Sequence, residues 1–139
     1  MEIIYSYTRQ QAIEDGVLRR LDDYLCDELP KEENAAEVLG RVESFDGKFS
    51  LGELVITPAA ADALHPTDVL NCLMRHRLGD WGNLDEEDVA ANEYILKRGE
   101  RLFSVYHVDD KNDEGVEVRF YVITEWNREA TTVLLPEDY

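Results

Sequence analysis

The stretch LMRHRLGDWGNLDEED, Leu73 to Asp88, decides how the rest of the chain is arranged. It holds the end of one helix, a Gly-Asp-Trp-Gly corner and the start of another helix. Upstream, Val69, Leu70, Leu73 and Met74 form an apolar stripe over Asp68 to Arg77, the pattern of an amphipathic helix. Pro66 suits its first turn, with Thr67 or His65 as cap. Gly79 supplies the left-handed residue on which helices commonly end. Downstream, Asn83 or Asp85 can cap a second helix. Its first turn carries Glu86, Glu87 and Asp88, where the helix dipole favours negative charge. Lys97, Arg98 and Gly99 mark its end.

Trp81, set between Gly79 and Gly82, is a large ring on a tight turn. Burial, with the indole N–H given to a carbonyl or carboxylate, is the cheapest way to place it. Two readings of the corner follow. His76, Asp80 and Trp81 form a site, or Gly79, Trp81 and Gly82 form a structural corner that locks a helical hairpin. A lone His–Asp pair is common in structural roles, so the second reading ranks first.

Before the corner, IIYSY (Ile3 to Tyr7) has strand composition, and Thr8 can cap a short helix from Arg9 to Asp15, closed by Gly16. Leu18, Leu21, Leu25 and Leu29 predict a helix over Val17 to Leu29 that Pro30 ends, followed by a polar connector, Lys31 to Asn34. Glu37 to Ser44 and Phe49 to Thr57 read as a β-hairpin about Asp46-Gly47, with Gly52 as a bulge. Thr57-Pro58 opens a short helix to Leu64. After the corner, Arg101 to Val108, Val116 to Glu125 and Ala130 to Leu135 read as three consecutive antiparallel strands. Val116, Val118, Phe120 and Val122 share the core face of the middle one. The expected architecture is a single α+β domain over 1–139: an N-terminal strand and helices (1–34), a hairpin (35–57), the helical corner (58–99) and a C-terminal meander packed on two or three helices (100–139).

The formal charge is −17, spread as −6, −6 and −5 over residues 1–50, 51–100 and 101–139. Charge distributed this way repels nucleic-acid phosphates and anionic lipid. It suits a basic protein surface or simple solubility. Cys26 and Cys72 are too few for a disulfide framework and read as reduced thiols. Met1 leads directly into EIIYSYT without a signal-peptide pattern, and no run approaches the length of a membrane span, so a cytoplasmic location is expected.

No phosphate-binding glycine loop, HExxH, CxxC or calcium-loop spacing occurs, so no cofactor and no metal is expected. Asp109, Asp110, Asp113 and Glu114 read as a hydrated acidic turn. The chemistry-bearing side chains are diffuse: His76, Asp80, Ser104, Tyr106, His107, Thr124, Glu125 and Arg128 fall at strand or helix ends. The candidate polar cluster is His76, Asp80, Tyr106, Glu125 and Arg128. Glu125 and Arg128 also read as a turn ion pair, and Tyr106 and His107 must face opposite sides of their strand.

Residues 5–18, YSYTRQQAIEDGVL, resemble the opening of small proteins borne on plasmids and integrative elements, with a YTR-x-QAI-x-DGVL motif. Residues 54–139 are similar to a second set from the same kinds of element. The shared segments are Thr57-Pro58, the His76 to Leu84 corner, Asp88 to Glu93, Arg101 to Tyr106, Val122 to Glu125 with Arg128, and Thr131 to Tyr139. Here Trp126-Asn127 stands where that set has Ala-Asp before the arginine. The resemblance implies mobile-element origin and bacterial cytoplasm, and it brings no activity with it.

Three functional readings follow. The first is a non-enzymatic protein-binding or inhibitory module of anti-defence, nucleic-acid-mimic type, acting on a basic protein surface with no direct nucleic-acid or membrane contact. The second is an accessory or antitoxin-like homo-oligomer. The third is a small RNA- or nucleotide-directed enzyme using Arg101, Tyr106, His107 and Arg128, by likeness of fold to mRNA-cleaving toxins.

Overall fold

The computed structural model describes residues 9–30, 34–44 and 47–139. The expected strand from Ile3 to Tyr7, the Thr8 cap, Asp46 and most of the Lys31 to Asn34 connector lie outside them. The helices are α1 (Arg9–Glu14), α2 (Leu21–Glu28), α3 (Ala35–Ser44), α4 (Pro58–Ala63), α5 (Pro66–Arg77) and α6 (Glu86–Arg98). The strands are β1 (Arg19–Arg20), β2 (Glu53–Ile56), β3 (Leu102–Asp109), β4 (Glu117–Thr124) and β5 (Ala130–Leu134), followed by a 3₁₀ turn, Pro136–Asp138. The sheet runs β1-β2-β5-β4-β3. The fold is α+β, and its C-terminal meander β3-β4-β5 is antiparallel throughout, as expected.

The expected hairpin from 35 to 57 is not formed. Its first arm is helix α3. Ala35, Val38, Leu39 and Val42 recur at helical spacing, and Ala35 and Val42 are buried. Asn34 caps the helix, its Oδ1 accepting from Ala36 N at 2.9 Å and Glu37 N at 3.3 Å. The second arm shortens to β2, which lies antiparallel to β1 and parallel to β5. The helix expected over Val17 to Leu29 is also divided. Arg19 and Arg20 are drawn into the sheet edge opposite Ile56 and Val55, and the helix begins at Leu21.

The period-two alternation of the strands sets the core. Leu54, Ile56, Tyr106, Phe120, Val122 and Val133 face the layer of helices α2 to α5, which contribute Leu21, Tyr24, Leu25, Val42, Leu64, Val69 and Leu73. On the other face, α1 packs Ala12 against Val55 and Leu18. On β4 the inward set is Val118, Phe120 and Val122. Val116 falls before the strand and is exposed. On α5 the stripe is rotated from the expected one. Its fully buried residues are Val69, Cys72, Leu73 and His76, while Leu70 and Met74 are half-buried. A histidine therefore occupies the last core position of this helix. No helix among the described residues is long and apolar enough to cross a membrane.

Candidate functional site

The corner behaves as a clasp. Helix α5 ends with Leu78 N bonded to Met74 O and Gly79 N to His76 O, with Gly79 at φ +83°. Asp80 N then returns to Arg75 O at 2.8 Å, and the Arg75 guanidinium holds the Asp80 carboxylate at 2.7 and 3.2 Å. That guanidinium keeps the Asp80 carboxyl below the ordinary carboxylate range. Both side chains are about half exposed, so the pair contributes little stability. Asp80 matters more through its carbonyl, which accepts the buried Tyr106 hydroxyl at 2.6 Å.

Beyond Asp80 the chain lies against the outer edge of β3. Val105 N donates to Trp81 O at 3.2 Å and Asn83 N to Val105 O at 2.8 Å. Gly82 forms the bridge opposite Val105. A Cβ on Gly82 would meet Val105 O at 2.0 Å, and its φ is +72°, so the contact requires glycine. One step along the same edge, Asn92 of α6 grips Phe103. Its Nδ2 donates to Phe103 O at 2.6 Å, and its Oδ1 accepts from Phe103 N at 3.3 Å. The corner and α6 thus satisfy main-chain groups that an open edge strand would offer to another chain. Trp81 is 2% exposed and its Nε1 donates to Glu93 at 3.1 Å. Asp85 caps α6 by accepting from Asp88 N at 2.9 Å.

Behind the corner lies a buried polar chain. His76 Nδ1 is 2.5 Å from Ser104 Oγ on β3, and Nε2 is 2.8 Å from Thr124 Oγ1 on β4. Thr124 Oγ1 is 2.8 Å from Thr131 Oγ1 on β5, directly opposite in register. Thr131 donates to Leu51 O at 2.7 Å. His76, Ser104, Thr124 and Thr131 all have zero exposure.

The end of this chain fixes its direction. A carbonyl can only accept, so Thr131 gives its proton to Leu51. Thr131 Oγ1 therefore accepts from Thr124, and Thr124 accepts from His76. The imidazole is neutral, with its proton on Nε2, and Ser104 O–H donates to Nδ1. Burial away from water pushes the His76 pKa down to about 3, and the Arg128 charge acts in the same sense. Among the described residues no buried side-chain N or O lacks a partner. The network is complete as it stands.

The rings of Phe49 and Trp81 cover it, Phe49 edge-on to His76 at 5.2 Å and stacked on Trp81 at 6.1 Å. The Arg128 guanidinium sits 5.7 Å from the Phe49 centroid and donates to the carbonyls of Glu100 at 2.5 Å and Glu125 at 3.0 Å. Arg128 has φ +60°. Burial lowers its pKa. The contact between Arg128 and Glu125 thus runs through a main-chain carbonyl.

The five candidate residues are therefore neighbours of one corner but do not line one cleft. His76 and Tyr106 are sealed in the core, Asp80 and Glu125 lend carbonyls, and Arg128 closes the rim. Ser104–His76–Thr124 has the outline of a hydroxyl–imidazole–orienter relay. Its hydroxyl is enclosed, and its imidazole resists protonation far below neutral pH. His107 points to the opposite sheet face, 3.0 Å from Glu117. Thr131, Phe49 and Asn92 join the corner without being among the residues the sequence singles out as candidates. The signal available for Thr131 was its even offset along a strand facing Thr124. Among the described residues no three His, Cys, Asp or Glu side chains gather as metal ligands.

No family model, no curated protein and no solved structure matches this chain.

Proposed function

We propose that the chain is a non-enzymatic binding module whose partner is a basic protein surface. One observation carries the reading. His76 and Tyr106 are taken up by the core and Asp80 and Arg128 by the corner, while most carboxylates among the described residues of this −17 chain are exposed. The first turn of α6 alone presents Asp85, Glu86, Glu87 and Asp88 to solvent. Further carboxylates, Asp109, Asp113, Glu114 and Glu117, cluster at the exposed β3–β4 turn.

Such a surface accelerates encounter with a cationic protein and disfavours polyanions. In its finer form, the proposal is that a mobile-element protein in the bacterial cytoplasm occupies the nucleic-acid groove of a host defence enzyme, its carboxylates standing in for phosphates. The resemblance of residues 5–18 and 54–139 to mobile-element proteins supports that form.

The test is capture of partners from a bacterial lysate at low ionic strength, followed by a salt titration of the purified pair. The proposal expects a partner with a basic surface, released as salt rises, and bound more weakly by a Glu86→Gln, Glu87→Gln, Asp88→Asn variant. A partner held equally at low and high salt, or the absence of any partner, contradicts it.

A further inference from the structure

The corner seals only part of the β3 edge. In an antiparallel ladder alternate residues bond the neighbouring strand, and those between them turn their main-chain groups the other way. Asp110 N donates to Val116 O at 2.8 Å, so Val108, Tyr106 and Ser104 bond β4 in the same phase. Phe103, Val105, His107 and Asp109 therefore face outward. Asn92 takes up Phe103, and Trp81 and Asn83 take up Val105. The outward N–H and C=O of His107 and Asp109 meet no partner among the described residues. Both residues are exposed.

Beside this open end lies a groove of about 570 Å³, between the start of α5 and the β3–β4 turn. His65 and four carboxylates, Asp68, Asp109, Asp110 and Glu114, line it. None of the four pairs with a basic side chain among the described residues. Lys111 also lines the groove, but its ammonium is held by Glu28 at 2.8 Å and by Ala61 O at 2.9 Å. Lys111 N donates to Ala63 O at 2.8 Å and Asn112 Nδ2 to Asp62 O at 2.8 Å. These bonds tie the turn to α4, so the groove is formed in advance of any partner. On the other face of the sheet Glu117 stands opposite Asp109 in register. A strand laid along this edge would find carboxylates on both of its sides.

We propose that an extended, lysine- or arginine-bearing segment of the partner adds to the sheet at this place. It pairs with the main chain of His107 and Asp109 and sets its basic side chains against Asp68, Asp109, Asp110, Glu114 and Glu117. In strand addition the main-chain bonds give affinity and the alternating side chains give specificity. The free edge would by itself accept any strand, and the uncompensated carboxylates around it select a cationic one. This site rests on the basic-partner reading and adds to it a place and a backbone conformation for the partner.

The test is a titration of the full ¹⁵N-labelled chain at low ionic strength with a synthetic peptide of about ten residues. It is built of lysine and threonine, with lysines on both faces of an extended strand. A second peptide of the same sequence is N-methylated at its central residues, which removes the donors from both edges and keeps the charge. The first peptide should shift the amide signals of His107 to Asp110 and of Asp68, and slow hydrogen exchange at His107 and Asp109. The methylated one should bind roughly tenfold more weakly. Two variants separate charge from pairing. Asp109→Asn removes the carboxylate and keeps the outward N–H, whereas Asp109→Pro removes both at an edge position that tolerates proline. Proline should weaken binding about fivefold more than asparagine does. The spectra show whether each variant is folded, and the methylated peptide decides the matter if proline unfolds the edge. Equal affinity for the two peptides, or shifts gathered at the first turn of α6, overturns the strand site and leaves the basic-partner reading standing. A failure of either peptide to bind at low salt contradicts that reading as well.

Discussion

Acidification should unfold this protein partly through one histidine, and the size of that effect follows from the structure. His76 is held neutral in the core, its pKa lowered from 6.5 to about 3. In the unfolded chain the imidazole takes up a proton as the pH falls through 6.5. In the folded chain it does so only near 3. Stability from this site is therefore complete above pH 6.5 and drains away between 6.5 and 3. Linkage at about 1.4 kcal/mol per pH unit makes the loss about 2 kcal/mol at pH 5 and about 3 kcal/mol at pH 4.

Other groups also respond to acid. Asp80, stabilised as a carboxylate by Arg75, loses its contribution in a lower window, and the repulsion among the other carboxylates is relieved. These terms are shared by a His76→Gln variant, which keeps an amide able to donate to Thr124 but takes up no proton in this range. Urea unfolding followed by tryptophan fluorescence suits the comparison because Trp81 is buried against the same imidazole, 5.5 Å between ring centroids. The variant should be less stable at pH 7 by roughly 1–3 kcal/mol for the disturbed hydrogen bonds. Its stability should then fall less steeply, so that the gap closes by about 2 kcal/mol at pH 5. Parallel stability curves for the two proteins would refute the reasoning.

Gly82→Ala should destabilise by roughly 2–4 kcal/mol in thermal or urea unfolding, because it adds a left-handed penalty to a clash with Val105 O and the Tyr106 ring. Asn92→Leu removes both bonds to Phe103 and should cost about 2 kcal/mol. It should also raise aggregation measured by light scattering, since it uncovers part of the β3 edge. Thr131→Val breaks the polar chain at the link to Leu51 and should cost roughly 1–3 kcal/mol, while Thr131→Ser retains the hydroxyl and should recover most of it.

The local signals carried most of the fold. The corner was legible because its glycines, the Asp85 cap and the bulk of Trp81 all act over a few residues. The meander was legible because neighbouring strands alternate in register. Two departures of the structure from the local sequence signals have physical causes. Asp46-Gly47 is a strong hairpin signal, and it outweighed the three-and-four spacing of Ala35, Val38, Leu39 and Val42 and the cap at Asn34. Arg19 and Arg20 are strand residues because of Val55 and Ile56, more than thirty residues away, and nothing local announces that pairing. The parallel contact of β2 with β5 is non-local in the same way.

The site divides similarly. His76, Ser104 and Thr124 stood out as polar residues near element ends, but their burial depends on how α5 rotates over the sheet. The apolar residues Leu70 and Met74 made a different face look like the inward one, and that concealed His76 as a core residue. Thr131 could be placed only once β4 and β5 were in register.

His76, Ser104, Thr124 and Thr131 form a sealed structural chain behind the corner. Long-range ¹H–¹⁵N correlation of the His76 ring nitrogens, followed from pH 7.5 to the lowest pH at which the fold persists, tests it most directly. A neutral imidazole protonated on Nε2 throughout is the predicted result. A ring that titrates near 6.5 would show an imidazole in contact with water, and a proton on Nδ1 would reverse the direction of the chain; either result would contradict the account.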